Sequence, residues 1–103
     1  MNEVWKEIGE NSNYFISNLG KIKRNNKILK LNKNARGYLY CNISTNGKVT
    51  KVKIHRLVAI AFINNLNNKD TVNHVDGNKL NNNYTNLEWL TRKENIQHYF
   101  QNR

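Results

Sequence analysis

At 103 residues the chain is long enough for one modest hydrophobic core and too short for two. Its single cysteine, Cys41, excludes an intramolecular disulfide and a cysteine-based zinc site and fits a reducing compartment. No apolar run reaches the length of a membrane span and no signal-peptide pattern opens the chain, so a soluble cytoplasmic protein is expected, with no membrane partner. The net charge of +10 is unevenly placed: residues 1–56 hold 12 Lys or Arg against 3 acids, and no acid occurs between Asn11 and Arg56. A stretch so basic, without internal counter-charges, is expected to face a polyanion, most simply nucleic acid. An AT-rich genome would account for the abundance of Lys and Asn, but not for the missing acids.

Residues 15–24 and 27–31 read as two strands about an Asn25-Asn26 turn, with Gly20 marking a bend or bulge. Trp5, Tyr14 and Phe15 read as core, because so small a domain needs its aromatics for burial. Residues 38–44 alternate, with Leu39, Cys41 and Ile43 on one face and Tyr38, Tyr40 and Asn42 on the other. Asn46-Gly47 then signals a tight hairpin, returning through residues 49–54 with Val52 and Ile54 on one side and Lys51 and Lys53 on the other. The lysine-and-tyrosine face is either a ribbon for the DNA major groove or an ordinary half-exposed sheet with solubilising charges. Residues 56–63 read as a helix apolar on most sides, hence a buried strut. His55 at its start is expected to be structural or a phosphate contact.

A short strand then leads to His74, and Asp76-Gly77 makes a turn, since Gly accepts positive φ and Asp caps it. Residues 87–91 read as a second strand. From Arg92 onward Ile96, Tyr99 and Phe100 fall on one face of a helix. No segment rich in Pro, Gly or Ser divides the chain.

Residues 72–78 (Val-Asn-His-Val-Asp-Gly-Asn), 86–89 (Asn-Leu-Glu-Trp) and 94–95 (Glu-Asn) resemble the HNH nuclease family, in the branch found in phage and intron-encoded homing endonucleases. Residues 55–62 (His-Arg-Leu-Val-Ala-Ile-Ala-Phe) look like the helix that leads into its ββα-metal finger. Residues 5–8 and 14–22 resemble the small DNA-binding element that often precedes that finger. The resemblance spans nearly the whole chain. It implies an α+β fold: a small antiparallel β-rich N-terminal half, residues 1–54, joined by a short helix to a ββα-metal (His-Me) finger in residues 55–103, as one compact unit.

The resemblance further implies a metal-dependent endonuclease that hydrolyses phosphodiester bonds in double-stranded DNA. His74 would be the general base, Asn95 a metal ligand from the helix, and Asn86 the residue that orients the loop or the imidazole. Asn73 stands where many members carry a metal-binding Asp, so the ligand here would be a neutral amide; Asp76 is the neighbouring carboxylate that could replace it, although its Asp-Gly turn argues for a structural role. The expected ion is Mg²⁺ or Mn²⁺, not zinc. One finger holds one base, so a monomer is expected to nick, and a double-strand cut calls for a homodimer or a second event. Candidate DNA contacts are Lys21, Lys23, Arg24, Lys27 and Lys30 in the first strands, and Lys33 and Arg36 before the hairpin. Lys48, Lys51 and Lys53 lie on the hairpin, Arg56 on the helix, and Lys79, Arg92 and Lys93 beside the finger. The other reading is a DNA-binding module that keeps the finger as a scaffold without cleavage.

Overall fold

A computed structural model describes residues 2–101, with side chains described through residue 98. Nine short strands and two helices form three small antiparallel sheets packed around one helix. The first sheet runs β1 (Trp5–Glu7), β2 (Tyr14–Ser17), β3 (Ile22–Arg24) and β4 (Lys27–Ile28), each paired with the next. The second is β5 (Asn32–Lys33), β6 (Leu39–Thr45) and β7 (Lys48–Lys53). After α1 (Ile54–Phe62), β8 (Thr71–His74) pairs with β9 (Leu87–Leu90), and α2 (Arg92–Gln101) packs back on both.

The hairpin forms as its turn residues dictate. Asn46 and Gly47 both take positive φ, 52° and 76°, as a type I′ turn requires, and Thr45 pairs with Lys48. Cys41 and Ile43 point into the core, while Tyr40 and Asn42 lie opposite Lys53 and Lys51 on the outer face.

Residues 15–24 do not form one strand with a bend at Gly20. They split into β2 and β3 across a complete reversal at residues 18–21. Gly20 N–H donates to the Ser17 carbonyl at 3.1 Å, and Ser17 N–H to the Lys21 carbonyl at 2.8 Å. The buried Ser17 hydroxyl also accepts from the Leu19 and Lys21 amides. Asn18 locks the turn to the chain start, its backbone N–H donating to the Val4 carbonyl and its side-chain oxygen accepting from the Val4 amide.

α1 is buried along one stripe, not all round: Ile54, His55, Val58 and Ala59 are buried, but Ile60 is 65% exposed. That stripe meets Tyr14, Ile16 and Ile22 of the first sheet, Cys41 and Ile43 of the second, and Val72 and Leu87 of the third, in one continuous core. Ile16, Ile22, Ile54 and Val58 are buried almost completely, each stabilising the fold by roughly 2–3 kcal/mol. Trp5 and Phe15, expected in the core, are half-buried and carry the Lys23 ammonium over their rings at 4.3 and 5.6 Å. Tyr99 and Phe100 have side chains outside those described.

Tyr14 ties the first two sheets together, its ring 4% exposed and its hydroxyl accepting from the Ser44 amide at 3.0 Å. Tyr14→Phe removes that acceptor and keeps the ring, so urea unfolding should show a loss of about 1 kcal/mol at unchanged m-value.

Candidate functional site

β8 ends on His74, and the chain beyond it forms a loop closed by amides. The Asp76 carboxylate accepts from the Asn78 backbone N–H at 2.8 Å, from Asn86 Nδ2 at 2.9 Å and from Asn81 Nδ2 at 3.0 Å. Asn86 also receives the Asp76 amide on its side-chain oxygen and donates to the Asn81 carbonyl. Backbone bonds from Val75 to the Asn86 carbonyl and from Gly77 to the His74 carbonyl complete the loop. These donors hold the Asp76 carboxyl below the usual carboxylate range, led by the Asn81 amide. A carboxylate engaged this fully favours a turn anchor over a metal ligand.

The His74 imidazole is 6% exposed, and its Nε2 lies 2.7 Å from Asn82 Oδ1. Of the two roles expected of Asn86, the geometry gives it the loop and gives the imidazole to Asn82. Asn82 sits in the Asn81-Asn82-Asn83 run, one polar triplet among many in this Asn-rich chain, and no periodicity or spacing singles it out. It is 5% exposed.

On its other side His74 belongs to a row of rings. Tyr38 stacks on His55 with centroids 4.9 Å apart and an interplanar angle of 18°, and His55 lies 5.2 Å from His74. Burial pushes His55 down to about 4, helped by His74, Lys53 and Arg56 nearby. Burial also lowers His74, against the Asn82 hydrogen bond and the Asp76 charge, which favour its protonated form. Burial thus works against the protonated form of both imidazoles.

Asn73 precedes His74 on β8 and faces Glu88 on β9, its Nδ2 3.5 Å from Glu88 Oε1. Asn95 lies in the first turn of α2, and a capping box fixes that turn. Thr91 Oγ1 accepts from the Glu94 amide at 3.1 Å, and Glu94 Oε1 accepts from the Thr91 amide at 2.9 Å. Lys69 holds the same carboxylate at 3.0 Å. Asn73 and Asn95 thus stand on two elements packed against each other. Among the described residues no group of three or more His, Cys, Asp or Glu side chains could hold a metal ion. The donors at hand are amide oxygens with isolated carboxylates, a set suited to a hard, weakly held cation completed by substrate oxygens.

Of the candidate DNA contacts all are exposed except Lys23 and Arg56, which are half-buried. Several are placed by aromatic rings: Lys51 over Tyr40 at 4.4 Å, and Lys79 and Lys53 over Tyr38 at 4.7 and 5.9 Å. Lys79 also donates to the Arg36 carbonyl at 2.8 Å, joining the finger loop to the hairpin sheet. Arg56 is engaged internally, with the Asp70 carbonyl at 2.9 Å and the Trp89 ring.

Residues 3–44 match the NUMOD4 motif and residues 52–97 match the HNH endonuclease family. Over 95 residues the chain is 50% identical to an uncharacterized HNH endonuclease of Acanthamoeba polyphaga mimivirus, covering 90% of this chain and 29% of that protein. It is 38% identical over 96 residues to DNA endonuclease I-HmuI of Bacillus phage SP01, covering 90% of this chain and 55% of the phage protein. The solved structure of I-HmuI, described as an HNH homing endonuclease that binds and cleaves DNA, superposes with a TM-score of 0.87 at 36% identity, over 96% of this chain and 59% of that one. The chain therefore spans between about a quarter and three-fifths of the length of these relatives.

The depressed His55 value fixes the sign of a pH effect. Between its unfolded value near 6.5 and its folded value of about 4, only the unfolded chain takes up the proton. Stability is thus retained above pH 6.5 and lost as pH falls through that window, by roughly 3 kcal/mol from this group. Thermal melts from pH 7 to 4 should decline accordingly, and His55→Phe, which keeps a ring against Tyr38, should flatten the decline.

Proposed function

This chain belongs to the HNH endonuclease family, and from that premise we propose that it is a divalent-metal-dependent endonuclease hydrolysing phosphodiester bonds in double-stranded DNA. The observation that carries this reading is the buried His74 held by Asn82 at 2.7 Å at the end of β8, with Asn73 beside it and α2 packed across the strand. A neutral imidazole can take a proton from water as that water attacks phosphorus. Asn73 and Asn95 would hold the ion through their amide oxygens, and Asn86 would keep the loop in shape by its bonds to Asp76 and Asn81. A bound Mg²⁺ or Mn²⁺ supplies neutralisation of the scissile phosphate and of the departing 3′ oxygen.

The exposed Lys33 of β5, Arg36 of the loop after it, and Lys48, Lys51 and Lys53 of β7 would grip the phosphate backbone, so binding should weaken steeply with salt. With one base per chain the product is a nick, and two chains or two events make a double-strand cut. The work would be done in the cytoplasm of a bacterial or phage-infected cell, a reading supported by the viral and phage origin of the relatives.

One observation favours a second reading. The neutral Asn73 where the family often has an acid weakens ion binding, and a chain that held no ion would remain a DNA-binding module. Relaxation of supercoiled plasmid decides between them. Nicking should require Mg²⁺ or Mn²⁺, stop with EDTA, and fall by about a hundredfold or more in His74→Ala. Asn73→Asp should lower the metal concentration needed for half-maximal rate. Binding without nicking at any metal concentration would leave the binding module, and preference for RNA over duplex DNA would change the substrate class.

A further inference from the structure

The turn between β2 and β3 belongs to the basic N-terminal sheet, yet it touches the loop that holds His74. Gly20 is buried with φ of 91°, and a Cβ built on it would stand 2.8 Å from Asn82 Cβ, 3.1 Å from the Asn82 carbonyl oxygen and 3.3 Å from its carbonyl carbon. Two residues on, the Tyr84 amide donates to the Asn18 carbonyl at 2.8 Å. Asn82 is thereby seated from below by glycine backbone and from its C-terminal side by a hydrogen bond to the same turn. The turn itself has little freedom, because Ser17 and Asn18 are buried and bonded within it and to the chain start.

We infer that Asn82 is the positioning residue for His74, and that the β2–β3 turn of the N-terminal sheet is the template that aims it. Asn82 presents an amide oxygen, which only accepts, so the His74 proton resides on Nε2 and the lone pair on Nδ1. Nδ1 is then the atom that receives the proton from water. The His55 ring, 5.2 Å away, limits the swing of the imidazole on another side. Positioning of this kind sets how often the base is correctly presented, so its loss should lower kcat and leave DNA affinity alone. The catalytic half of this inference rests on His74 being the base; the tautomer and the seating do not.

The test uses the full chain labelled with ¹⁵N. Long-range ¹H–¹⁵N correlation of the His74 ring, recorded where the ring is neutral, should give the Nε2–H pattern. In Asn82→Ala and in Gly20→Ala the two ring-nitrogen shifts should move toward an averaged mixture of tautomers. Asn82→Asp, whose carboxylate also accepts, should keep the Nε2–H form. In the plasmid assay kcat should fall between about ten- and a hundredfold for the first two variants, with KM for DNA unchanged, and Asn82→Asp should recover most of it. An Nδ1–H pattern in the intact chain, or an unchanged pattern in Asn82→Ala, overturns the inference; so does a loss confined to KM. If Gly20→Ala does not fold, the Asn82 pair carries the test. Should His74→Ala nick as fast as the intact chain, the assignment of the base fails, while the tautomer readout still judges the role of Asn82.

Discussion

The two halves of this protein share one nine-residue helix, and the buried stripe of that helix is what makes them a single body. The helix packs against a strand of each of the three sheets, which are too small to fold alone. Of the two- to four-residue strands, β2, β8 and β9 lie against it, and β1, β3, β4 and β5 are held by pairing within their sheets. His55 has been drawn into the same stripe, and its burial there disfavours its protonated form beside the His74 ring.

Local signals were legible where a local cause sufficed. Asn46-Gly47 demands a type I′ hairpin whatever surrounds it, and the strand–loop–strand–helix order of the last third followed from an Asp-Gly turn and the helical spacing of Ile96, Tyr99 and Phe100. The split at residues 18–21 was not legible, because the turn closes through the Ser17 hydroxyl instead of a recognisable turn pair, and Asn18 anchors it to Val4 and Tyr84, both remote in sequence. The same reason hid Asn82: its partner lies eight residues away, its seat lies in another sheet, and an Asn in an Asn-rich loop carries no distinguishing pattern. Trp5 and Phe15 look like core residues by type, yet they stay half-buried because a lysine placed over each ring takes up the exposed face.

Amides dominate the finger for a physical reason. Asn both donates and accepts, so one side chain can close a loop in two directions, as Asn86 does between Asp76 and Asn81. Asn also tolerates left-handed backbone, which five adopt among the described residues, all of them before β8. The result is a loop organised by hydrogen bonds about a single buttressed carboxylate, with little net charge of its own beside a strongly basic sheet.

The contact of Gly20 with Asn82 bears on how freely such proteins can be recombined. The two motifs meet between residues 44 and 52, a natural joint in the chain for exchanging one motif against another. The joint is permissive in the chain but not in space. A Cβ at position 20 would stand 2.8 Å from the Asn82 Cβ and 3.1 Å from its carbonyl oxygen, so the turn and the finger loop fit together as they do because position 20 carries no side chain. A joint between the two motifs must therefore satisfy a contact between positions sixty-two residues apart in sequence and one van der Waals contact apart in the fold.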